Sequence, residues 1–417
     1  MKIAQIVGRS EGSGVTRYII ELNKSFIKAG HEATVYIMPS DFRNNKNNMQ
    51  VIENFENGDY TQDFYDKVNS ADLVIINALI DKKANDELRD KFYDFVINKI
   101  KVRKVYVCNE HKLMGISTYY GKWHENKEFI DSIDKICTFS PDSVISNKLK
   151  EMYGNDRINN MFMQLSLPYE FDESRKLWVD AKDKLKRLTY LGRFATFKDP
   201  HRILPVRQKL FDAGFEYEMR GIGRTIAVAF IPDLFYEIKD GKKVGDSKVT
   251  IPVSKKWYIE NNITLNDPLI EWEGRIKDKI YIFDQYKRED GMAALAKSAF
   301  GVDFYHLKTA PAYGDTLEYC LYEIMDTGTI PVMDLFTGNS CHILDNGYAS
   351  DKTFVDMNAG VFLAKDCSNI DEFVANISEL YNNPDKYNDM RERTFEVFKE
   401  HGNQVAIANR FIEDAFK

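Results

Sequence analysis

Apolar and polar positions follow one repeating pattern through the first third of the chain. Short apolar runs predict buried strands, and longer segments with apolar residues every three or four positions predict helices. Strands that are apolar on both faces and separated by helices predict a parallel sheet covered on both sides, an α/β fold. The predicted strands are Ile3–Val7, Ala33–Met38, Leu73–Asn77, Val105–Cys108 and Lys135–Phe139, and the predicted helices are Ser13–Ala29, Thr61–Asn69, Asn85–Ile100 and Pro141–Tyr153.

The same pattern begins again near residue 188. Residues 225–266 interrupt it with a segment that predicts β-strands joined by a Gly-Lys turn, which we interpret as an insertion. The end of the chain, from residue 382, predicts two helices. The second set of predicted strands is Leu188–Leu191, Glu216–Arg220, Leu269–Trp272, Ala299–Tyr305 and Ile330–Met333, with helices at Arg202–Ala213, Met292–Lys297 and Leu317–Asp326.

A charged, irregular segment at 167–187 separates the two patterns and is interpreted as a linker. We therefore expect two tandem doubly wound domains, at 1–170 and 186–390, and a C-terminal helix at 391–417 that packs back on the first domain. Two such sheets are expected to face each other across a deep cleft. Ligands of these sheets bind outside the carboxyl ends of the strands, so the loops at those ends are the first candidates for chemistry.

Composition narrows the class of protein. The chain has 417 residues, of which 44% are hydrophobic and 29% charged, as in a globular protein with two cores. No apolar run is long enough to span a membrane, and the chain starts directly with a predicted strand, so neither a membrane segment nor a signal peptide is expected. A formal net charge of −7 argues against a protein that coats nucleic acid non-specifically. Five scattered cysteines without C-x-x-C spacing argue against structural zinc and disulfides and favour a reducing cytoplasm.

A glycine-containing loop follows the first predicted strand. Gly12, Ser13 and Gly14 precede the first helix, but Arg17 stands where a dinucleotide-binding loop has its third glycine. No Gly-Lys-Ser/Thr ending makes it a P-loop either. A nicotinamide oxidoreductase also needs an acid at the end of the second strand, where this chain has Met38-Pro39.

A basic pair follows the first strand of the second half. Arg193 and Lys198 lie five residues apart on the loop between that strand and the next helix. An arginine can bind two phosphate oxygens at once, a lysine adds a point charge, and a helix start adds backbone donors. The pair suits a diphosphate, although two solvated cations on a loop remain an alternative.

An acidic helix follows in the last third of the chain. Asp315 precedes it, Glu323 lies within it, and Thr327-Gly328 end it before the strand Ile330–Met333. A carboxylate that points from such a helix toward the cleft can accept hydrogen bonds from both hydroxyls of a ribose. An ordinary amphipathic helix with exposed acids is the alternative.

These segments together resemble the retaining GT-B glycosyltransferases. "GRFATFKD", the acidic helix leading into "GTIPV", and the N-terminal "EGSGVTRYIIELNKSFIKAGHE" carry the resemblance. The longer phrases "GVTRYIIE" and "LEYCLYEIMDTGTIPV" are similar to the DNA α-glucosyltransferases of T-even bacteriophages. That family transfers glucose from UDP-glucose to 5-hydroxymethylcytosine in duplex DNA. The resemblance implies two Rossmann-like domains facing a cleft, with the inserted hairpin in the second.

The resemblance also implies roles for individual residues. Arg193 and Lys198 would hold the diphosphate and stabilise its developing charge, and Glu323 would hold the ribose. Asp315 stands where many relatives have glutamate, and it would bind the sugar or distal phosphate together with Thr316 and Leu317. The loop Gly12-Ser13-Gly14 would lie beneath the donor. Catalytic roles near the acceptor would fall to Glu110 and His111, where the family has Asp-His.

A segment after the catalytic corner mixes basic and aromatic residues. Because chemistry on a base in duplex DNA requires the base to leave the stack, phosphate contacts and aromatic faces are expected there. The candidates for DNA contact are Lys112, Tyr119, Tyr120, Lys122, Trp123 and Lys127. A solvated surface segment with incidental aromatic residues is the alternative.

The expected protein is thus a monomeric UDP-sugar-dependent transferase acting on duplex DNA with hydroxylated cytosine in the cytoplasm of an infected bacterial host. It needs no tightly bound cofactor, and the chain has no D-x-D motif that would demand a metal. The resemblance favours glucose, but arabinose stays open because one hydroxymethyl group is a small difference for a pocket to read. A GT-B transferase with a lipid or small-molecule acceptor and an inactive DNA-binding module are further alternatives.

Overall fold

The computed structural model describes residues 1–7, 14–37, 55–56, 59–77, 86–108, 123–138, 144–193, 202–222, 237–239, 242–244, 280–284, 288–304, 318–334 and 357–417. The described residues form two compact units. One comprises residues from 1–170 and 401–417, and the other comprises residues from 171–400. Residues 391–400 therefore belong to the second unit, and only the last 17 residues of the predicted C-terminal segment lie in the first.

The first unit contains a six-stranded, entirely parallel sheet in the order β2-β1-β5-β6-β7-β8. β1 lies between β2 and β5, so the strand order reverses there. The strands are β1 (Lys2–Val7), β2 (Glu32–Ile37), β5 (Leu73–Asn77), β6 (Arg103–Val107), β7 (Lys135–Thr138) and β8 (Phe162–Gln164), with a two-residue pair β3 (Phe55–Glu56) and β4 (Asp59–Tyr60) beside them.

Helices connect these strands as the periodicity predicts. Thr61 caps α2 by accepting a hydrogen bond from the backbone N–H of Phe64 at 3.3 Å, and Asn126 caps α4 in the same way. The predicted helix over 85–100 is instead an α-helix followed by a π-helical turn, Phe95–Lys99. The helices are α1 (Gly14–Lys28), α2 (Gln62–Asn69), α3 (Asp86–Asp94), α4 (Lys127–Ser132), α5 (Val144–Tyr153) and α6 (Asn155–Met161).

The second unit repeats the architecture with a sheet in the order β13-β10-β9-β14-β15-β16. All its neighbouring strands are parallel. β9 is central and has β10 on one side and β14 on the other, so this sheet also reverses its strand order at its first strand. The strands are β9 (Leu185–Arg193), β10 (Glu216–Ile222), β13 (Ile280–Asp284), β14 (Ser298–Asp303), β15 (Ile330–Asp334) and β16 (Val361–Leu363).

The inserted region contains an antiparallel pair, β11 (Glu237–Lys239) and β12 (Lys242–Val244), which confirms the predicted hairpin. The predicted strand Leu269–Trp272 lies outside the described residues. The helix predicted over 202–213 is a 3₁₀ turn, Leu204–Val206, followed by a short α-helix. The helices of this unit are α7 (Arg207–Asp212), α8 (Arg288–Lys297), α9 (Tyr319–Asp326), α10 (Ile370–Asn382) and α11 (Pro384–His401).

The last helix, α12 (Gln404–Phe416), packs in the first unit against α1. The rings of Phe26 and Phe411 meet edge to face with centroids 5.6 Å apart, and Phe26 is fully buried. Gln404 donates a hydrogen bond to the Glu21 carboxylate at 3.2 Å. The N-terminal unit is therefore built from both ends of the chain.

The segment that the sequence predicts as a linker contains buried residues. Its regular elements are a 3₁₀ turn at Ala181–Asp183 and the first three residues of β9, and Leu167, Tyr169 and Phe171 are buried. Among the described residues, no helix has both the length and the apolar character that a membrane crossing requires.

Candidate functional site

Strand register brings the candidate segments of the first unit to one edge of its sheet. Val7 at the end of β1 pairs with Asn77 at the end of β5, and Asn77 pairs with Val107 at the end of β6. Gly14 is the first residue of α1. The remaining candidates of this edge, Gly12, Ser13, Glu110 and His111, lie outside the described residues and keep the status of predictions.

Three side-chain amides, two of them buried, join the elements at this edge. Asn77 Nδ2 donates to Gln5 Oε1 at 3.3 Å, and Gln5 Nε2 donates to Asn23 Oδ1 at 3.2 Å. Gln5 and Asn77 are both fully buried. Because buried polar groups that are bonded to each other fix geometry, these bonds hold β1, β5 and α1 together. The sequence signal was a single polar residue inside each of two apolar runs, and sequence reasoning missed it.

In the second unit, Arg193 is the last residue of the central strand β9 and pairs with Ile222 of β10. It stands where the strand order reverses, the position at which doubly wound sheets bind ligands. Gly192 precedes it, and a Cβ at this position would lie 2.7 Å from the hydroxyl oxygen of Tyr190, so the buried tyrosine ring would have to shift. Lys198 lies outside the described residues.

Glu323 projects from the middle of α9 and is largely hidden from solvent, with its side chain 14% exposed. Its Oε1 accepts a hydrogen bond from Nε of Arg288, at the start of α8, over 2.8 Å. The helix begins at Tyr319, two residues later than predicted, and Asp315, Thr316 and Leu317 lie outside the described residues. Glu323 is thus the one predicted donor-binding side chain whose surroundings the described residues include.

A Schellman motif ends α9 at Gly328, as the sequence predicts. The Gly328 N–H bonds to the Met325 carbonyl at 2.9 Å, and the Thr329 N–H bonds to the Ile324 carbonyl at 3.1 Å. Gly328 has a φ of +64°, and a Cβ there would lie 2.6 Å from Cδ2 of Trp178. Glycine therefore lets the Trp178 indole cover the end of the helix that carries Glu323.

The carboxyl end of β14 carries side chains of metal-ligating type. Ligand atoms of Asp303, Glu318 and Cys320 all lie within 4.8 Å of one another. The Cys320 thiol contacts the Glu318 carboxylate at 4.0 Å. A partly exposed acidic cluster of this kind is common without an ion and does not by itself define a metal site.

The structure corrects one predicted DNA contact. Trp123 is fully buried in the core of the first unit, with its ring centroid 4.6 Å from that of Tyr106 and 6.3 Å from that of Phe129. A ring packed in this way has no face to offer a base, so the prediction that Trp123 contacts DNA is wrong. Burial of its large apolar surface stabilises the fold more than exposure of the ring beside lysines would.

Lys127, the other candidate of this segment among the described residues, is exposed on the first turn of α4. Its ammonium lies 2.5 Å from the Asp131 carboxylate, which Arg157 also contacts at 2.7 Å. Hydrogen bonds from these two cations lower the pKa of the Asp131 carboxyl. Lys112, Tyr119, Tyr120 and Lys122 lie outside the described residues.

Comparison with known proteins gives matches over the whole chain. The DNA alpha-glucosyltransferase of Enterobacteria phage T4 is 22% identical over 421 residues, which cover 96% of this chain and 96% of that protein. No protein-family model matches the chain.

Solved structures are similar in fold. An alpha-glucosyltransferase in complex with UDP-glucose and DNA containing an abasic site has a TM-score of 0.76 at 18% identity, covering 100% of this chain and 99% of that chain. An alpha-glucosyltransferase in complex with UDP has a TM-score of 0.75 at 20% identity, with 100% of both chains covered. The catalytic domain of Starch Synthase IV from Arabidopsis thaliana, bound to ADP and acarbose, has a TM-score of 0.58 at 9% identity, with 100% and 99% covered. The chain therefore has the GT-B fold, and the resemblance to the DNA α-glucosyltransferases of T-even phages extends over its whole length.

Proposed function

We propose that the protein is a retaining glycosyltransferase that moves a sugar from a UDP-sugar to a hydroxylated cytosine in duplex DNA. The observation that carries the proposal is the place of Arg193, at the end of the central strand where the second sheet reverses its order. The whole-length similarity to a phage DNA alpha-glucosyltransferase supports the choice of substrates. The structures of similar fold include complexes with UDP-glucose and DNA.

The chemistry requires cations at the leaving group. When the bond between the anomeric carbon and the phosphate oxygen breaks, negative charge grows on UDP and positive character grows on the sugar. Arg193 and Lys198 stabilise the departing diphosphate, which is the largest contribution to catalysis that such a site can make. Glu323 binds the ribose hydroxyls and fixes the nucleotide, and Asp315, Thr316 and Leu317 contact the sugar or the distal phosphate.

Retention follows from attack on the face that UDP leaves. The hydroxyl of the modified base forms the new bond to the anomeric carbon, and its proton passes to the departing phosphate oxygen. Glu110 and His111 orient the reacting hydroxyls near the acceptor. In the alternative, double displacement, Glu110 forms a covalent bond to the sugar before the base does. Trapping a glycosylated Glu110 with a fluorinated donor would favour that alternative, and absence of the adduct during turnover would favour same-face attack.

A direct assay tests the proposal. The protein is incubated with UDP-glucose or UDP-arabinose and a duplex that contains 5-hydroxymethylcytosine, and the digested nucleosides are weighed by mass spectrometry. We expect a glucosylated nucleoside, which an unmodified duplex does not give. A pentosylated nucleoside would identify the donor as UDP-arabinose. Transfer to a lipid or small molecule with none to DNA would favour the GT-B alternative, and no transfer at all would overturn the proposal.

Two variants locate the site. Arg193→Ala and Lys198→Ala are expected to abolish transfer without changing the melting temperature, because both cations contact the donor rather than the core. Near-normal turnover in both would contradict the assigned site. Turnover is expected to persist in EDTA, since the reaction as proposed uses side-chain cations instead of a metal at the diphosphate. We further propose that the protein acts as a monomer in the cytoplasm of the infected host. Sedimentation of the active enzyme would test whether it is a monomer.

A further inference from the structure

We propose that Trp178 is a positioning residue that holds the last turn of α9 and thereby sets where the Glu323 carboxylate meets the ribose of the donor. This inference rests on the proposed function, in which Glu323 binds the ribose hydroxyls. Trp178 acts through α9 and needs no contact with the donor itself.

α9 is too short to hold its own position. It has eight residues, Tyr319–Asp326. Isolated helices shorter than about 12–15 residues are marginal in water, so contacts with neighbouring segments decide where such a helix lies. Contacts at its last turn therefore bear directly on Glu323, which lies three residues before its end.

The last four carbonyl groups of α9 all accept hydrogen bonds. Backbone N–H groups of residues 327–329 bond to three of them, the carbonyls of Glu323, Ile324 and Met325. The fourth, the carbonyl of Asp326, accepts a hydrogen bond from Nε1 of Trp178 at 3.0 Å. Because these four groups have no partner inside the helix, the indole supplies one of the bonds that end it, from residues 171–178 before β9.

A second bond from residues 171–178 fixes the same end of the helix. The backbone N–H of Asp172 donates to Asp326 Oδ1 at 2.8 Å, and Asp326 is buried. The Phe171 ring meets the Tyr322 ring edge to face, with centroids 5.8 Å apart. Tyr322 directly precedes Glu323, so these contacts hold α9 on both sides of the carboxylate.

Trp178 is itself held in place by α11. The guanidinium carbon of Arg391 lies 4.4 Å from the centroid of the Trp178 ring, a cation–π arrangement, and Nη1 of Arg391 donates to the carbonyl of Val179 at 2.8 Å. The Phe395 ring meets the indole edge to face, with centroids 5.3 Å apart. α11 therefore fixes the indole, and the indole fixes the end of α9.

Stability alone does not require an indole at this place. Water satisfies the last carbonyl groups of many helices, and it would leave the last turn free to shift. An indole that is packed against α11 also fixes where that turn lies. Because hydrogen bonds weaken steeply as their angle departs from linear, a small displacement of Glu323 would weaken its bonds to the ribose hydroxyls.

The test compares two nucleotides, UDP and 2′,3′-dideoxy-UDP, which lacks both ribose hydroxyls. Trp178→Phe removes the Nε1 donor but keeps an aromatic ring, and the indole is partly exposed, so the variant should fold. The Kd for UDP should rise about threefold to tenfold, while the Kd for 2′,3′-dideoxy-UDP stays within about twofold of the wild type. Titration calorimetry measures both values.

The matched control is Tyr153→Phe. It removes a 2.7 Å hydrogen bond from another partly exposed aromatic side chain to a backbone carbonyl, that of His124 in the first unit. Both Kd values should equal those of the wild type. Equal weakening of the two nucleotides by Trp178→Phe would overturn the inference, because a general loss of structure has that effect.

A double variant tests whether Trp178 acts through Glu323. In Glu323→Ala no carboxylate is left to position, so adding Trp178→Phe should not raise the Kd for UDP further. The same weakening with and without Glu323 would overturn the inference. Glu323→Ala alone tests the proposed function, since it should lower the ratio of the Kd for 2′,3′-dideoxy-UDP to that for UDP. If it does not, the ribose-binding role fails; if it does and Trp178→Phe does not, this inference alone fails.

Discussion

Nε of Arg288, the first residue of α8, donates a hydrogen bond to Oε1 of Glu323 in the middle of α9 over 2.8 Å. The arginine is half exposed, at 53%, and the glutamate is largely covered, at 14%. A cation on α8 thus orients a carboxylate on α9. It fixes one carboxylate oxygen, and a carboxylate can accept hydrogen bonds from hydroxyl groups through both of its oxygens.

Glu323→Ala is expected to raise the Kd for UDP about 10- to 100-fold, because hydrogen bonds to a charged group contribute about 1.5–3 kcal/mol each. Arg288→Ala should raise it less, since the arginine only orients the carboxylate. Titration calorimetry with UDP measures both. Glu392→Gln is the control, because Glu392 pairs with Arg175 at 2.6 Å elsewhere in the same unit. An unchanged Kd in Glu323→Ala would contradict the ribose-binding role.

Trp123→Ala should lower the free energy of unfolding by about 3–5 kcal/mol, because it removes a fully buried indole from the first core. Chemical denaturation measures the change. Lys127→Ala on the neighbouring helix should change it by less than about 0.5 kcal/mol, since its ion pair with Asp131 is exposed. If Lys127 contacts a phosphate, this variant should also reduce the slope of the logarithm of the DNA-binding constant against the logarithm of the salt concentration by about 1. If Trp123→Ala keeps the wild-type stability but binds DNA more weakly, Trp123 contacts DNA at the surface and its place in the core is contradicted.

Gly328→Ala should destabilise the protein by more than Gly30→Ala. Both glycines have positive φ, +64° and +86°, so both substitutions carry the cost of a left-handed residue, about 1–2 kcal/mol. Only at Gly328 does the added Cβ meet another group, the Trp178 ring at 2.6 Å, whereas nothing lies within 4 Å at Gly30. Thermal unfolding of the two variants isolates the clash. Equal losses would show that Trp178 moves aside freely.

His401 should make the fold sensitive to mild acid. Burial lowers its pKa from 6.5 to about 4, so the unfolded chain takes up a proton at a higher pH than the folded one. Stability is then full above pH 6.5 and falls as the pH drops from 6.5 toward 4, by up to about 3 kcal/mol for this group. His401→Gln cannot titrate, so the wild type should lose stability relative to it over that range. If the wild type and His401→Gln give parallel curves of unfolding free energy against pH, the lowered pKa of His401 is contradicted.

Most strands of the first unit were predictable because their apolar runs are continuous. Leu73–Asn77 matches residue for residue. β16 was missed because a three-residue strand gives too little pattern to recognise. α10 was missed although its buried residues, Phe373 and Ile377, are spaced four apart as in a helix.

Contacts between distant residues were beyond prediction. Trp123 looks like a surface residue beside Lys122 and Lys127, and only the packing of Tyr106 and Phe129 around it shows otherwise. Arg202 and Asp334 look like ordinary loop and strand-end residues in the sequence, yet Arg202 Nη1 lies 2.7 Å from Asp334 Oδ2 and both side chains are buried. The general place of the proposed donor site follows from strand order, whereas the contact between Glu323 and Arg288 depends on tertiary packing.

The N-terminal unit takes its last helix from the opposite end of the chain, and this has a consequence for biosynthesis. While the ribosome is still making the second unit, Phe26 has no Phe411 to cover it and Glu21 has no Gln404 to bind. N-terminal domains usually fold first during synthesis, but this unit cannot complete its fold until the C-terminal helix has been made. The nascent first unit keeps the apolar face of α1 that carries Phe26 uncovered until the whole of α12, Gln404–Phe416, has been made, and a fragment that stops at residue 170 is expected to aggregate.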